Sequence, residues 1–357
     1  MYASRTARLR VLSTQTFLPS LAALALVACG NGLSDTRFAT GSQTLASSAD
    51  YSSVYAVSEH DGVVSRLDIK TGSVFELDLG GETSRIARND ENVFDYGQRV
   101  ANELETEILR VGPQNVMAFV AETVVGATLG AVPPVEGYFK RIREICDQYD
   151  VLLILDEVMC GMGRTGSLFA CEQYGIIPDI LTIAKGLGAG YQPIGAMMCT
   201  APIYNVIADG SGFFQHGHTY LAHPTACAAA ETVVSSIIER KLVKQVSLIG
   251  DCLISELNHA FGQHPHIGDI RGKGLFIGLE LVENRLNKAP FEASKQISKN
   301  IKASAFSEGL MCYPMAGTVD GNLGDHILLA PPFIMENRQI DEIVVKLAKA
   351  IKKVLQI

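Results

Sequence analysis

A carboxylate pair and a lysine stand at the ends of two short apolar runs, and their spacing bounds the chemistry open to this chain. The run Val151 to Leu155 is too short for a helix and carries the branched side chains of a buried strand. It delivers Asp156 and Glu157 at its carboxyl end. A glycine-rich turn follows, then a helical segment around Leu168 to Tyr174 and a breaker at Pro178. A second apolar run, Ile180 to Ala184, delivers Lys185 and another glycine cluster. Two parallel strands so arranged aim a carboxylate and an amine at one sheet edge, where ligands of open α/β sheets bind. Such a pair is either a plain salt bridge or a site in which a desolvated lysine amine acts as nucleophile and base.

Two other chemistries compete for these residues. A strand ending in Asp-Glu also occurs in nucleotide-hydrolysing proteins, but those need a glycine-rich loop closing in Gly-Lys-Ser or Gly-Lys-Thr. None is present, and Gly272-Lys273-Gly274 lacks the hydroxyl that would hold magnesium. His216, His218 and His223 are close in sequence, yet no carboxylate or cysteine accompanies them at ligand spacing, so no metal site is expected.

The run DEV, then GMGRTG, then PD, then AKGLGAGYQPIGA, in that order and spacing, resembles the class III pyridoxal-phosphate-dependent aminotransferases. The resemblance is continuous from residue 89 to residue 357. It implies an α/β chain of fold type I. Residues 89–235 would be the cofactor-binding large domain, present in part and built on a mostly parallel sheet, and residues 236–357 a smaller C-terminal α+β domain. Lys185 matches the lysine that carries the cofactor as an imine. Asp156 matches the aspartate that pairs with the pyridine nitrogen, and Val158 the residue packed on one face of the ring. Glu122 matches a glutamate near the cofactor, where proline usually follows; here the next residue is Thr123. It is otherwise a structural acid at a strand end. Thr219 matches a threonine that reaches into the neighbouring subunit to bond the cofactor phosphate, which implies a homodimer and places His218 at the mouth of the partner's site.

Those residue types suit that chemistry. An unprotonated lysine amine is needed to form and exchange the imine, and desolvation or nearby positive charge lowers its pKa towards neutrality. An anionic aspartate keeps the ring nitrogen protonated, so the ring can take up electrons. The freed lysine then moves the proton as acid and base. The implied substrates are a small-molecule amine donor and a keto acid acceptor. Family members acting on α-amino or ω-amino acids often carry an arginine two residues before the Ala-Pro-Pro of the last strand, to grip a carboxylate. Leu328 stands there in this chain, which favours amine or ω-amino donors over donors such as ornithine.

Around this core the elements read from periodicity are a helix over Gln98 to Arg110, a strand from Val116 to Ala121 ending at Glu122, and a long helix opening at Pro224. A turn and strand over Asp269 to Val282, a strand from Ile327 to Phe333 and an amphipathic last helix through Ile340, Leu347, Ile351 and Val354 follow. The apolar stretch Val116 to Val132 is broken by Glu122, two glycines and Pro133-Pro134, and reads as buried strand and loop rather than a membrane span.

The chain of 357 residues, 47% of them hydrophobic, is long enough for a sizeable core, and its net charge of −8 argues against a nucleic-acid partner. Upstream of residue 89 its character differs. Arg5, Arg8 and Arg10 precede an apolar stretch ending in Leu26-Val27-Ala28-Cys29, which looks like a lipoprotein signal over residues 1–29 with Cys29 as the lipidated residue. Residues 30–50 read as a polar linker, and 51–88 resemble one blade of a YVTN-type β-propeller, divided by the hairpin signals Asp61-Gly62 and Thr71-Gly72. One blade cannot close a ring by itself. The family's glycine-serine loop for the cofactor phosphate has no counterpart before Asn89 in this sequence. The leader implies a membrane-anchored, exported chain, whereas the family resemblance and seven scattered cysteines imply a reduced cytoplasmic one. The competing reading is therefore a non-catalytic anchored lipoprotein or an inactive fusion product.

Overall fold

The computed structural model describes residues 92–356 continuously and, upstream, the strands over residues 44–47, 53–58, 63–68 and 74–78. The segment read as a lipoprotein signal, with Cys29, lies outside the described residues. Strands β1 (Thr44–Ser47), β2 (Ser53–Ser58), β3 (Val63–Asp68) and β4 (Val74–Asp78) form an antiparallel meander in sequence order. The last three coincide with the alternating segments read from sequence. β1 falls within the segment read as linker, and it is held there by pairing Thr44 to Val57 through Ser47 to Val54.

Among the described residues, the part expected as the large domain opens with α1 (Val93–Val111), which starts five residues before the expected Gln98. The reason is a cap: the Asn92 side chain accepts the Asp95 amide at 2.9 Å and satisfies a donor that the first turn leaves open. Gly112, at φ +93°, ends the helix, with Pro113 just beyond. Its buried side is Gly97, Ala101 and Ile108, packed toward α2 (Tyr138–Tyr149) and the strands β6 (Leu152–Asp156) and β7 (Ile180–Ile183). With β5 (Ala118–Glu122) and β8 (Ala196–Cys199) these strands make a sheet in chain order, β5 to β7 parallel and β8 antiparallel. The segment expected as a helix over Leu168 to Tyr174 is a single 3₁₀ turn, Ala170–Tyr174, closed by Gly175 in the left-handed region. That glycine and Pro178 just beyond stop it after that turn.

The small domain has its own core. The helices α3 (Ala201–Asp209) and α4 (Pro224–Glu239) lead to α5 (Leu242–Phe261). A second sheet follows in the order β11 (Tyr313–Ala316), β12 (Asp325–Leu329), β10 (Phe276–Leu281), β9 (Ile267–Lys273), all antiparallel. The segment read as one turn and strand is thus a hairpin. The helices α5, α6 (Ile297–Ser307) and α7 (Asn337–Leu355) cover this sheet with Leu253, Leu257, Ile301, Leu347 and Ile351. α4 runs across the expected division at residue 235, and the core changes hands between Val234 and Val246. A third, small apolar cluster joins the two domains: Val124, Ala131, Cys160 and Ala170 from the first, Phe276 and Leu328 from the second.

Among the described residues no helix is long and apolar enough to cross a membrane. The stretch after Val116 resolves instead into β5 and a loop pinned by the bridge between Val125 and Val132.

Candidate active site

Parallel pairing decides which polar side chains meet. Glu122, the last residue of β5, pairs with Asp156, the last of β6, and Asp156 pairs with Thr182 on β7. Residues paired in register point to the same face, so Glu122, Asp156 and Thr182 form a row along the carboxyl edge of the sheet. Each acid is held by the chain that follows it. Glu122 Oε2 accepts the Gly126 amide at 2.6 Å, and Asp156 Oδ1 accepts the Val158 amide at 2.8 Å. Val158 is half-buried and directly follows the row. Among the described residues Asp156 Oδ2 has no hydrogen-bond partner, so one carboxylate oxygen is free for a ligand.

Glu157 plays a different part from its neighbour. It is wholly buried. Its carboxylate accepts from the Thr123 hydroxyl at 2.9 Å, the Ala170 amide at 2.6 Å and the Cys171 amide at 2.8 Å. Burial raises its pKa, and those two amides and the hydroxyl oppose the shift. Thr123, at the position where the family usually has proline, thus ties the end of β5 to the end of β6. Upstream, Asp179 binds the start of the same strand, its Oδ2 accepting from the Leu153 amide and from Arg143 Nη1, both at 2.8 Å.

Lys185 lies two residues beyond β7, in a 3₁₀ turn over residues 185–187, at φ +35°. That conformation is costly for a residue with a Cβ, and strained positions gather at functional sites because the surrounding fold must enforce them. The enforcing contacts are visible. The Leu187 amide bonds Ala184 O at 2.8 Å, and a Cβ on Gly186 would lie 2.9 Å from Cβ of Met162. The Lys185 side chain is exposed, and among the described residues its amine makes no hydrogen bond or ion pair. Asp156, Glu122, Val158 and Lys185 therefore converge on one sheet edge. Thr219 and His218 do not join them within the chain; both lie in the exposed segment between α3 and α4. His216 and His223, in the same segment, are placed near the rings of Phe214 and Tyr220.

Residues that periodicity and motif reading passed over tie the domains together beside this edge. Arg164, in the loop after β6, donates through Nη1 to Leu275 O at 3.1 Å and to Pro331 O at 2.7 Å. Its guanidinium lies 4.5 Å from the centre of the Phe333 ring, and burial lowers its pKa to about 10. Its place in GMGRTG was the available signal, but only the fold shows what it reaches. His326, on β12, is completely buried, and its Nδ1 faces the Thr318 hydroxyl at 2.9 Å.

Burial and then the Arg271 charge lower the pKa of His326 from 6.5 to about 4, although the Ala127 carbonyl pulls the other way. A depressed histidine favours the folded state fully above its unfolded value, and that stability is lost as pH falls. We expect His326→Gln to remove about 3 kcal/mol of the stability change between pH 6.5 and 4. Urea unfolding at stepped pH reads it; identical pH profiles for the two proteins would contradict it.

Comparison with known proteins agrees with this geometry. Residues 62–351 match the family model described as aminotransferase class-III, a match that begins within the N-terminal meander. An uncharacterised aminotransferase of Schizosaccharomyces pombe is 45% identical over 296 residues, covering 82% of this chain and 62% of that protein. The chloroplastic gamma aminobutyrate transaminase 3 of Solanum lycopersicum is 38% identical over 271 residues, covering 75% of this chain and 50% of the relative. Among solved structures, the omega transaminase from Pseudomonas jessenii in complex with PMP superposes with a TM-score of 0.70 at 36% identity, over 76% of this chain and 58% of that one. The chain thus spans about half to three-fifths of the length of these proteins. The fold is the α/β fold type I of pyridoxal-phosphate-dependent transaminases, and class III members use that cofactor. On the match, the shared fold and the strand-end residues together, the chain belongs to the class-III aminotransferase family.

Proposed function

We propose that this chain carries out transamination between an amine or ω-amino donor and a keto acid, with pyridoxal phosphate held covalently on Lys185. The observation that carries the reading is the strained, unpaired Lys185 placed beyond the same sheet edge as the free oxygen of Asp156. The residues present fit the cofactor's needs. Asp156 Oδ2 would hold a proton on the ring nitrogen, and Val158 would cover an apolar ring face. When bound, pyridoxal phosphate supplies a ring that takes up the electron pair left as the donor's amino-bearing carbon loses its proton. Lys185 Nζ would anchor the cofactor, and its amine, when free, would move that proton as general base and then general acid. Glu122, bonded to Gly126, would stand beside Asp156 as a second fixed charge.

The donor preference is supported by Leu328. It is 2% exposed and packed among apolar side chains, so no cation stands there to grip a donor carboxylate. The omega transaminases among the solved structures, some engineered for synthesis of bulky amines, fit donors of that kind. A homodimer is supported by the segment that carries Thr219 and His218, in which Phe213, Phe214, Tyr220 and Leu221 are all exposed. Large apolar side chains exposed together on one short segment are a feature of protein contact surfaces. In that assembly Thr219 would reach the partner's cofactor phosphate and His218 the mouth of its site.

The test is borohydride reduction of the purified chain with pyridoxal phosphate, followed by mass spectrometry and a screen of amine donors. A reduced adduct on the peptide containing Lys185 is expected. An unmodified Lys185, with the cofactor in excess, would overturn the reading.

A further inference from the structure

We propose that Arg271 is a positioning residue, which fixes the Glu122 carboxylate from the other domain through the loop that follows β5. Its consequence for catalysis rests on the function proposed above; the tie itself does not.

The tie begins with a socket in the small-domain sheet. Arg271 on β9 donates through Nε to Gly130 O at 3.0 Å and through Nη2 to Leu129 O at 2.5 Å. Its Nη1 is held by Glu280 at 2.5 Å and Asp269 at 3.1 Å, which orient the fork. Gly278 on β10 pairs directly with Arg271, and a Cβ there would lie 1.9 Å from Gly130 O. On β12, His326 closes the other side. Gly130 has φ +74°, and a Cβ on it would fall 2.6 Å from the imidazole. Three adjacent strands therefore grip one peptide of the large domain. Leu328, paired with Gly278, belongs to the same apolar cluster as Val124 and Ala131 from that loop.

From the socket a continuous run of hydrogen bonds leads to the strand-end row. The Gly130 amide bonds Gly126 O at 2.8 Å, and the Ala131 amide bonds the same oxygen at 3.2 Å. Val125 and Val132 exchange both backbone bonds, at 2.9 and 3.0 Å. The Gly126 amide then donates to Glu122 Oε2 at 2.6 Å. Each link has a fixed geometry, so the position of the guanidinium is passed to the carboxylate. A lysine could not satisfy two carbonyls and a carboxylate together, because its ammonium is a compact point charge rather than a planar fork.

Amide hydrogen exchange on the full chain without cofactor tests the tie. Arg271→Ala removes the fork, Gly278→Ala pushes Gly130 away with no change of charge, and Arg271→Lys keeps the charge without the planar fork, so it should not restore protection. Exchange over residues 126–132 should rise by about tenfold to a hundredfold in the first two, as for loss of a charge-assisted hydrogen bond, with β6 unaffected. Unchanged protection there in both would overturn the proposal. Glu122→Gln separates positioning from general stability. At the Gly126 amide, and in kcat with an amine donor, the Arg271→Ala and Glu122→Gln effects should not add, because both act through one carboxylate. Additive effects would reduce Arg271 to a structural contact. If the parent chain traps no cofactor on Lys185, the proposed function fails, while exchange at Gly126 still decides the tie.

Discussion

Lys185→Ala is expected to eliminate the borohydride-trapped adduct and to lower transamination by at least about a thousandfold, since anchor and proton carrier are lost together. Lys185→Arg should fail equally. Arginine keeps the positive charge but stays protonated at any working pH, so it can neither attack a carbonyl carbon nor accept a proton. The visible absorbance of a lysine-bound cofactor should vanish in both variants, and peptide mapping should find no adduct elsewhere. An adduct that persists on a different lysine would show that the anchor has been misplaced. The strained turn makes this result specific. Ala184 O, Met162 and the glycines around Lys185 hold the backbone at φ +35°, so alanine can occupy the position without rebuilding the loop.

The second large effect is on folding. Glu157→Ala should destabilise the protein by about 3–5 kcal/mol, because it leaves the Thr123 hydroxyl and two backbone amides buried without an acceptor and opens a cavity. Glu157→Gln should cost less, since the amide oxygen can still accept. The pH dependence has a definite sign. Burial holds the folded pKa of Glu157 above 4.5, so its contribution is fully present below that value and declines as pH rises through the folded pKa. Wild type and Glu157→Ala should therefore draw closer in stability across that window. The chain has no tryptophan, so far-UV circular dichroism in urea is the suitable measurement. A midpoint within experimental error of wild type for Glu157→Ala would refute the clamp. Neither substitution touches the free oxygen of Asp156, so a folded Glu157→Gln protein should still take the cofactor.

The elements that hold the site could be read from the chain because each rests on local chemistry. The runs at 151–155 and 180–184 are apolar, short and stopped by polar or glycine residues, and they became β6 and β7 with Asp156 at the end of one and Lys185 just past the other. The helix starting at Pro224 and the amphipathic last helix appeared where periodicity put them. The structure departs from the periodic pattern at element ends, where caps and stops decide the boundary. The stretch Leu168 to Tyr174 reads as helical, but Gly175 in the left-handed region stops it and leaves a 3₁₀ turn over Ala170–Tyr174. α1 starts before its apolar period does because Asn92 caps the first turn, whose own apolar pattern is weak.

Sequence by itself determined the class of chemistry here. The strand-end Asp156 and Lys185, with glycine clusters after each strand, mark a ligand-binding edge, and the order and spacing of the surrounding motifs carry the resemblance to one family. Only the tertiary structure decided which acids are free and which are used up. Asp156 and Glu157 are adjacent in the chain, yet alternation along a strand sends them to opposite faces, one toward the sheet edge and the other into a ring of buried donors. Arg271 and Gly130 are 141 residues apart. No periodicity links them, because a hydrogen bond across two domains is set by how the finished sheets dock and not by any pattern along the chain.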